Sequence, residues 1–240
     1  MTPCSVASRF LLTTCAVSIA AAALFGEPQN PAIPKALPPV ERLDANRLRI
    51  GRVQVDLSAR EVVVTGRVND VQFLEWVANT SGGLKAYESA ITADTDAITF
   101  NTALLLIGLD RTHARVPIQH FDPEPPRGDP VEVWVEWAEG SQRKRVRIEQ
   151  LLLDKRTNTT LPEGPWVYTG STLLPDNGGY MAQLDGVLIG FVHSPAPIIE
   201  NPGAGAVGAF GSIVLNTELV APGTDVTLIV KARPAAVARP

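Results

Sequence analysis

Cysteine is nearly absent: the 240-residue chain has two, Cys4 and Cys15, and both lie within its one long apolar run. Beyond that run there is no disulfide, no thiol nucleophile and no cysteine-ligated metal to expect. Histidine is scarce as well. His113, His120 and His193 are the only imidazoles, and none has another histidine two to four residues away, so neither a metal site nor a cofactor is expected. The Gly-x-Ser-x-Gly elbow, the His-Glu-x-x-His pair and the phosphate-binding glycine loop are all missing, which removes the motif-bearing hydrolases and nucleotide enzymes. Basic charge is in deficit too. The formal net charge is −4, and −5 without Arg9, which argues against a nucleic-acid partner. Hydrophobic residues make up 45% of the chain and charged ones 19%, enough apolar content for a packed core.

The apolar run has the parts of a secretory signal peptide. Arg9 precedes Phe10 to Phe25, small residues Ala20 to Ala23 close it, and Gly26, Glu27 and Pro28 break it. Residues 1–26 are read as that signal, and the run falls short of the ~20 residues of a comfortable bilayer span. A retained membrane anchor is the alternative. Leu12-Thr13-Thr14-Cys15 is a poor lipoprotein box, because Thr14 is not the small residue such a box needs. Export would deliver the chain to the periplasm or the exterior, with no transmembrane segment once the signal is removed. Asn79-Thr80-Ser81 and Asn158-Thr159-Thr160 match the glycosylation acceptor pattern, which short chains match by chance. Five prolines between Glu27 and Pro39 mark residues 27–45 as an extended linker. A single domain is expected over 46–232 and a disordered tail over 233–240.

Within the domain, Leu48, Ile50, Val53 and Val55 and then Val62-Val63-Val64 predict two strands. Asp70 followed by Val71, Leu74, Val77 and Ala78 has helical spacing, and Ser81-Gly82-Gly83 would end that helix. Leu84 to Ile91 reads as a strand. Thr95 to Leu109, apolar nearly all round, reads as a buried helix with a capping signal at Thr92-Ala93-Asp94, and a strand is expected near Ala114 to Ile118. Val131, Val133, Val135 and Trp137 alternate with charged residues, as do Lys144, Val146 and Ile148, which predicts an antiparallel hairpin turning at Glu139-Gly140. Charge favours pairing Glu136 with Arg143, Trp134 with Arg145 and Glu132 with Arg147; a shift of two would set Glu132 opposite Glu149. Further strands are expected at Trp166–Thr169, Tyr180–Leu184, Val187–Val192, Ile213–Leu215 and Val226–Lys231, and a flexible loop over Gly203 to Gly211. The fold class expected is α+β: a mixed or mostly antiparallel sheet, two main helices in the N-terminal half and a strand-rich C-terminal half.

Among candidate chemistries, the run Arg143-Lys144-Arg145 with Arg147 reads as a solvated hairpin face neutralised by Glu132 and Glu136. Gly170-Ser171-Thr172 follows an expected strand, and its amides would suit an oxyanion, but no histidine and acid stand nearby to activate Ser171. Tyr87-Glu88-Ser89 is the more informative group. Alternation turns Glu88 toward the core, where a carboxylate needs hydrogen bonds, a cation or a metal; the amides that open the following helix at Asp94–Asp96 would be one partner. The candidate binding residues are therefore Tyr87, Glu88, Ser89, Gly170 and Ser171.

Several segments together carry a resemblance. Gly51-Arg52-Val53-Gln54-Val55-Asp56, Tyr87-Glu88-Ser89-Ala90-Ile91, Ala103-Leu104-Leu105-Leu106-Ile107-Gly108-Leu109, Trp166-Val167-Tyr168-Thr169-Gly170-Ser171, Tyr180-Met181-Ala182 and Asp185-Gly186-Val187-Leu188-Ile189 resemble the YdjY domain family, an exported and largely uncharacterised bacterial group. The likeness runs from about Leu48 to Lys231 and implies the compartment and the extent of the domain. In many members a histidine stands where Tyr87 does, so its absence removes support for a shared metal or acid–base site. A ferredoxin-like label sometimes attached to the family implies an iron–sulfur cluster, for which the mature chain has no thiolate.

The function expected is an exported, non-catalytic binding or cell-envelope-associated module, with an envelope ligand or protein partner that the sequence leaves unspecified. The alternative is a hydrolytic or metal-assisted enzyme acting on envelope material through Glu88 with a histidine or Ser171.

Overall fold

The computed structural model of the protein describes residues 37–176, 178–203 and 211–234. Residues 1–36, 177, 204–210 and 235–240 lie outside the described residues, and with them the expected signal peptide and most of the expected linker, flexible loop and tail. The strands are β1 (Val40–Arg42), β2 (Arg47–Ile50), β3 (Val53–Asp56), β4 (Glu61–Val68), β5 (Trp76–Thr80) and β6 (Ser89–Ala93), followed by helix α1 (Ala97–Leu106). Then come β7 (Asp129–Glu139), β8 (Gln142–Arg147), β9 (Leu152–Asp154), β10 (Thr159–Thr160), β11 (Trp166–Tyr168), β12 (Leu173–Leu174) and β13 (Gly179–Tyr180). Helix α2 (Met181–Asp185) leads into β14 (Val187–Gly190), β15 (Ile199–Glu200), β16 (Ile213–Leu215) and β17 (Asp225–Ala232). The first strand begins inside the proline-rich stretch.

Eight of these strands close on themselves in the order β4-β17-β7-β11-β15-β14-β5-β6, with β6 pairing back to β4. This closed barrel overturns the expected α+β class. The protein is mostly β, and the α-helices among the described residues are one of ten residues and one of five. Closure removes the free edges that an open sheet of this size would expose. β4 makes it possible by changing neighbours along its length: Glu61–Val63 pair with β3, whereas Gly66–Val68 pair with β6. Cross-strand rows such as Val62–Val230–Val133 and Val64–Leu228–Val135 are wholly buried, because alternation sends every second residue of these strands to one face. α1 packs against β3, β14 and α2, and its Asn101 accepts the Tyr168 hydroxyl of β11 at 2.8 Å. It thereby joins parts of the wall that no strand pairing connects.

The helix expected from Asp70 to Ala78 is instead the approach to β5 and the strand itself. β5 is buried at all five positions, and a strand buried on both faces reads as a short apolar run that periodicity cannot tell from a helix. The expected strand from Leu84 is a 3-10 turn over Ala86–Glu88 before β6, and Ala114–Ile118 contributes only a single bridge from Arg115 to Arg127. The expected strand from Tyr180 to Leu184 gives way at Met181 to α2, which Gly186 ends in the left-handed conformation at φ 76°. Between Leu48 and Val64 three strands form rather than two, since Gly51 (φ 56°) supports an extra turn. α1 is shorter than expected, is capped by Asp96 rather than Asp94, and leaves Leu105 and Leu106 exposed.

The β7–β8 hairpin forms in the register displaced by two, with Trp134 opposite Arg147, Val135 opposite Val146 and Glu136 opposite Arg145. Turn geometry outweighs the surface charges. The two-residue loop Gly140-Ser141 has Gly140 at φ 64°, and the primed turns that suit hairpin twist favour a glycine there. The expected clash of Glu132 with Glu149 never arises, because the chain leaves the ladder after Arg147 as a 3-10 turn.

Candidate functional site

β5 and β6 run parallel with Trp76 opposite Ser89, so the segments entering them, residues 73–75 and 85–88, meet at one end of the barrel. Backbone bonds lock the meeting point: the Glu75 amide donates to the Glu88 carbonyl at 3.0 Å, and the Ser89 hydroxyl donates to the Lys85 carbonyl at 2.7 Å. Glu88 is 5% exposed. One of its carboxylate oxygens accepts from the Lys85 ammonium at 2.7 Å and from the Trp76 indole N–H at 3.2 Å. The α1 amides are not its partners. Those are taken by Asp96, which accepts from Thr99 N at 2.8 Å, and by Gln183, which accepts from Ala97 N and Ile98 N.

Trp76 has room because residue 190 is glycine. A Cβ there would stand 2.9 Å from the indole and 2.6 Å from Pro197. On its other side lies the strap of residues 111–127, which delivers His120 with its ring 5.8 Å from Trp76 and 4.1 Å from Phe121. His120 Nε2 is 3.5 Å from Glu75 Oε2. Asp122 holds the strap in place by accepting from Ile118 N, Glu124 N and Arg115. The two amides and the guanidinium outweigh burial and lower its pKa to about 2. His193 sits beneath, its Nδ1 3.1 Å from the Asp122 carbonyl and its Nε2 3.2 Å from that of Asn201. His113 lies at the strap's start, 2.7 Å from Asp129.

These side chains form the notch: buried Glu75 and Glu88 beneath exposed Tyr87 and His120. Tyr87 forms the rim, 62% exposed, with Lys85 5.7 Å above its ring and 3.4 Å from its hydroxyl. The Glu75 side chain is only 8% exposed and makes no side-chain hydrogen bond among the described residues. Burial and the neighbouring Glu88 charge push its pKa up, against the pull of Lys85. Burial and Lys85 push His120 down. Burial opposes the Lys85 ammonium, but the bonds to Glu88 and Tyr87 prevail and raise its pKa.

The other sequence-derived candidates lie elsewhere. Ser171, at φ 58°, is fully buried. Its hydroxyl donates to the Ala196 carbonyl at 2.6 Å and accepts the Ala182 amide at 3.1 Å, so it ties the β11 exit to α2. Gly170, at φ 71°, lies against Arg111 and the Tyr168 hydroxyl, each 3.1 Å from where a Cβ would be. Ser171 and Glu88 share no hydrogen-bond partner. Tyr87, Glu88 and Ser89 do stand together, though Ser89 serves the backbone. Sequence reasoning missed Glu75, Trp76 and the link to His120, because β5 read as a helix and hid the parallel pairing. Among the described residues, no group of three His, Cys, Asp or Glu side chains is placed to hold a metal ion, and no helix is long and apolar enough to cross a membrane.

A family model described as the YdjY domain matches residues 53–231. No curated protein matches the chain, and no solved structure matches it.

Proposed function

The chain belongs to the YdjY domain family, and from that premise we propose that it is an exported, non-catalytic binding module whose ligand enters the notch formed by Glu75, Trp76, Lys85, Tyr87, Glu88 and His120. The observation that carries this reading is Glu75, a carboxyl more than nine-tenths buried with no hydrogen bond of its own, beneath a rim of exposed tyrosine and histidine. Burying a carboxyl that has no hydrogen bond and only an imidazole 3.5 Å away is costly, and a ligand that supplies a closer partner recovers that cost. The signal-like leader and the acidic, cysteine-free body support work in the cell envelope. Hydrolysis through Glu88 with a histidine is a second reading, favoured only by the contact between His120 and Glu75. Ser171 does not support it, since its hydroxyl is engaged by backbone groups.

The test is a thermal-shift screen of the mature chain, wild type beside Glu88→Ala, against glycans, peptidoglycan fragments and divalent metals. A ligand at 100 times its Kd adds about 2.7 kcal/mol of stability. The expected outcome is a shift in wild type that the variant loses, with the glycans recovered unhydrolysed. A uniformly lower melting temperature without any ligand-dependent difference would make Glu88 structural and sink the proposal.

A further inference from the structure

The charges around the notch do not balance. Glu75 arrives from the approach to β5, Glu88 from the turn before β6, and Asp185 at the end of α2 also feels the Lys85 charge. Against these stands one ammonium, Lys85, already bonded to Glu88 at 2.7 Å. His120, whose side chain is 42% exposed, is pushed toward its neutral form by partial burial and the Lys85 charge. Glu75 and Glu88 lie within mutual influence; Glu88 holds Lys85 at 2.7 Å, whereas Glu75 has only the His120 imidazole at 3.5 Å and a share of the Lys85 charge.

An anionic ligand would meet that excess of negative charge without a free base to receive it. A neutral hydroxyl would give Glu75 a hydrogen bond but leave its repulsion with Glu88 in place. A divalent ion would need a third convergent ligand, which the described residues do not supply. A protonated amine satisfies every element present. It bonds the Glu75 carboxylate with charge assistance, offsets the Glu88 charge, and rests against the faces of Tyr87 and His120, where an aromatic ring attracts a cation. Lys85, poised over the Tyr87 ring, shows that the rim already accepts an ammonium.

Resting on the reading of this notch as a binding site, we infer that its ligand carries a positively charged nitrogen, with Glu75 as the anchoring residue and Tyr87 as the stacking one.

Two matched pairs of probes test the inference: benzylammonium with benzyl alcohol, and glucosamine with N-acetylglucosamine, at a pH where both amines are protonated. Binding to the mature chain is followed by NMR at the Trp76 indole N–H and by thermal shift. The charged member of each pair is expected to bind about tenfold or more tightly than its neutral partner, the difference that one charge-assisted bond makes. Glu75→Gln, which keeps the shape and removes the charge, is expected to erase that preference. Tyr87→Ala, at an exposed position that folding does not depend on, is expected to weaken the charged probes alone. If the neutral probes bind as well as the charged ones and Glu88→Ala abolishes both, the binding site stands and the ammonium inference is wrong. If neither these probes nor the wider panel binds, both readings fall together. Ammonium binding that survives both Glu75→Gln and Tyr87→Ala would place it elsewhere and overturn the inference.

Discussion

Glu200 is a buried residue whose ionisation couples folding to pH. It lies between β11 and β14, opposite Val167 and Gly190, and is fully buried. One carboxyl oxygen accepts the Ser194 amide at 3.2 Å, and the other has no partner among the described residues. Burial raises its pKa well above the usual value, against the pull of the Ser194 amide and Arg115. A carboxyl whose folded pKa is raised contributes most below the unfolded value, and that contribution is lost as pH rises through the folded value. Glu200→Gln is therefore expected to be close to neutral at pH 5 and to stabilise the protein by about 1–3 kcal/mol at pH 8. Urea denaturation at the two pH values checks this, and an equal change at both would refute it. Glu75 acts in the same direction, so some slope persists in the variant. Alternation turned Glu88 toward the core, where it does lie, although it sits in a 3-10 turn and not in the strand that reading assumed. The burial of Glu200 was not legible, since β15 is two residues long and no periodicity marks it.

At the scale of the element, β8 shows how a local ion pair can end a strand. Arg147 closes the ladder opposite Trp134 and turns its guanidinium to Glu149, bonded at 2.6 Å and wholly buried, while also reaching Glu132. Glu149 receives the Gly164 amide as well, which binds the 3-10 turn to the next segment. Removing one member leaves a buried charge without compensation. Arg147→Ala is expected to cost about 3–5 kcal/mol, and the double variant with Glu149→Leu less than Arg147→Ala alone. A double-mutant cycle by chemical denaturation measures both, and additive losses would contradict the account. The exposed pairs on this hairpin matter less. Arg143 with Glu136 and Lys144 with Glu139 are of the surface kind worth about 0–1 kcal/mol, too little to set the register against the turn.

For the whole molecule, the decisive contact is the closure of the ring. Three residue pairs join β4 to β6: Gly66 with Ala93, Arg67 with Thr92 and Val68 with Ile91. Gly66 permits the approach, since a Cβ there would lie 2.6 Å from the Thr92 carbonyl oxygen and 3.1 Å from the Ala93 Cα. Both are backbone atoms that cannot rotate away. Gly66→Ala is expected to cost about 1–3 kcal/mol as an overpacked site and to release the β6 amides to hydrogen exchange before those of β7 and β17. Uniform loss of protection across all three strands would show that closure is not a separable step. Because the notch is built where β5 and β6 begin, the same variant is expected to weaken any ligand bound there.

The sequence by itself determined what depends on neighbours along the chain. Apolar runs marked β4 and β17, alternation marked β7 and its buried face, an apolar stretch marked α1 though not its cap at Asp96, and the scarcity of cysteine and histidine bounded the chemistry. Tertiary structure alone decided which strands became neighbours. Helical spacing from Val71 to Ala78 was overridden because β5 fills a place in the wall buried on both sides, and the barrel closed where a glycine allowed two backbones to touch. The same choice brought Glu75, Glu88 and His120 together from three separate segments. Side-chain periodicity states which face of a strand is buried and carries no information about the strand beside it, so a site assembled by pairing across the barrel could be recognised only once the barrel had closed.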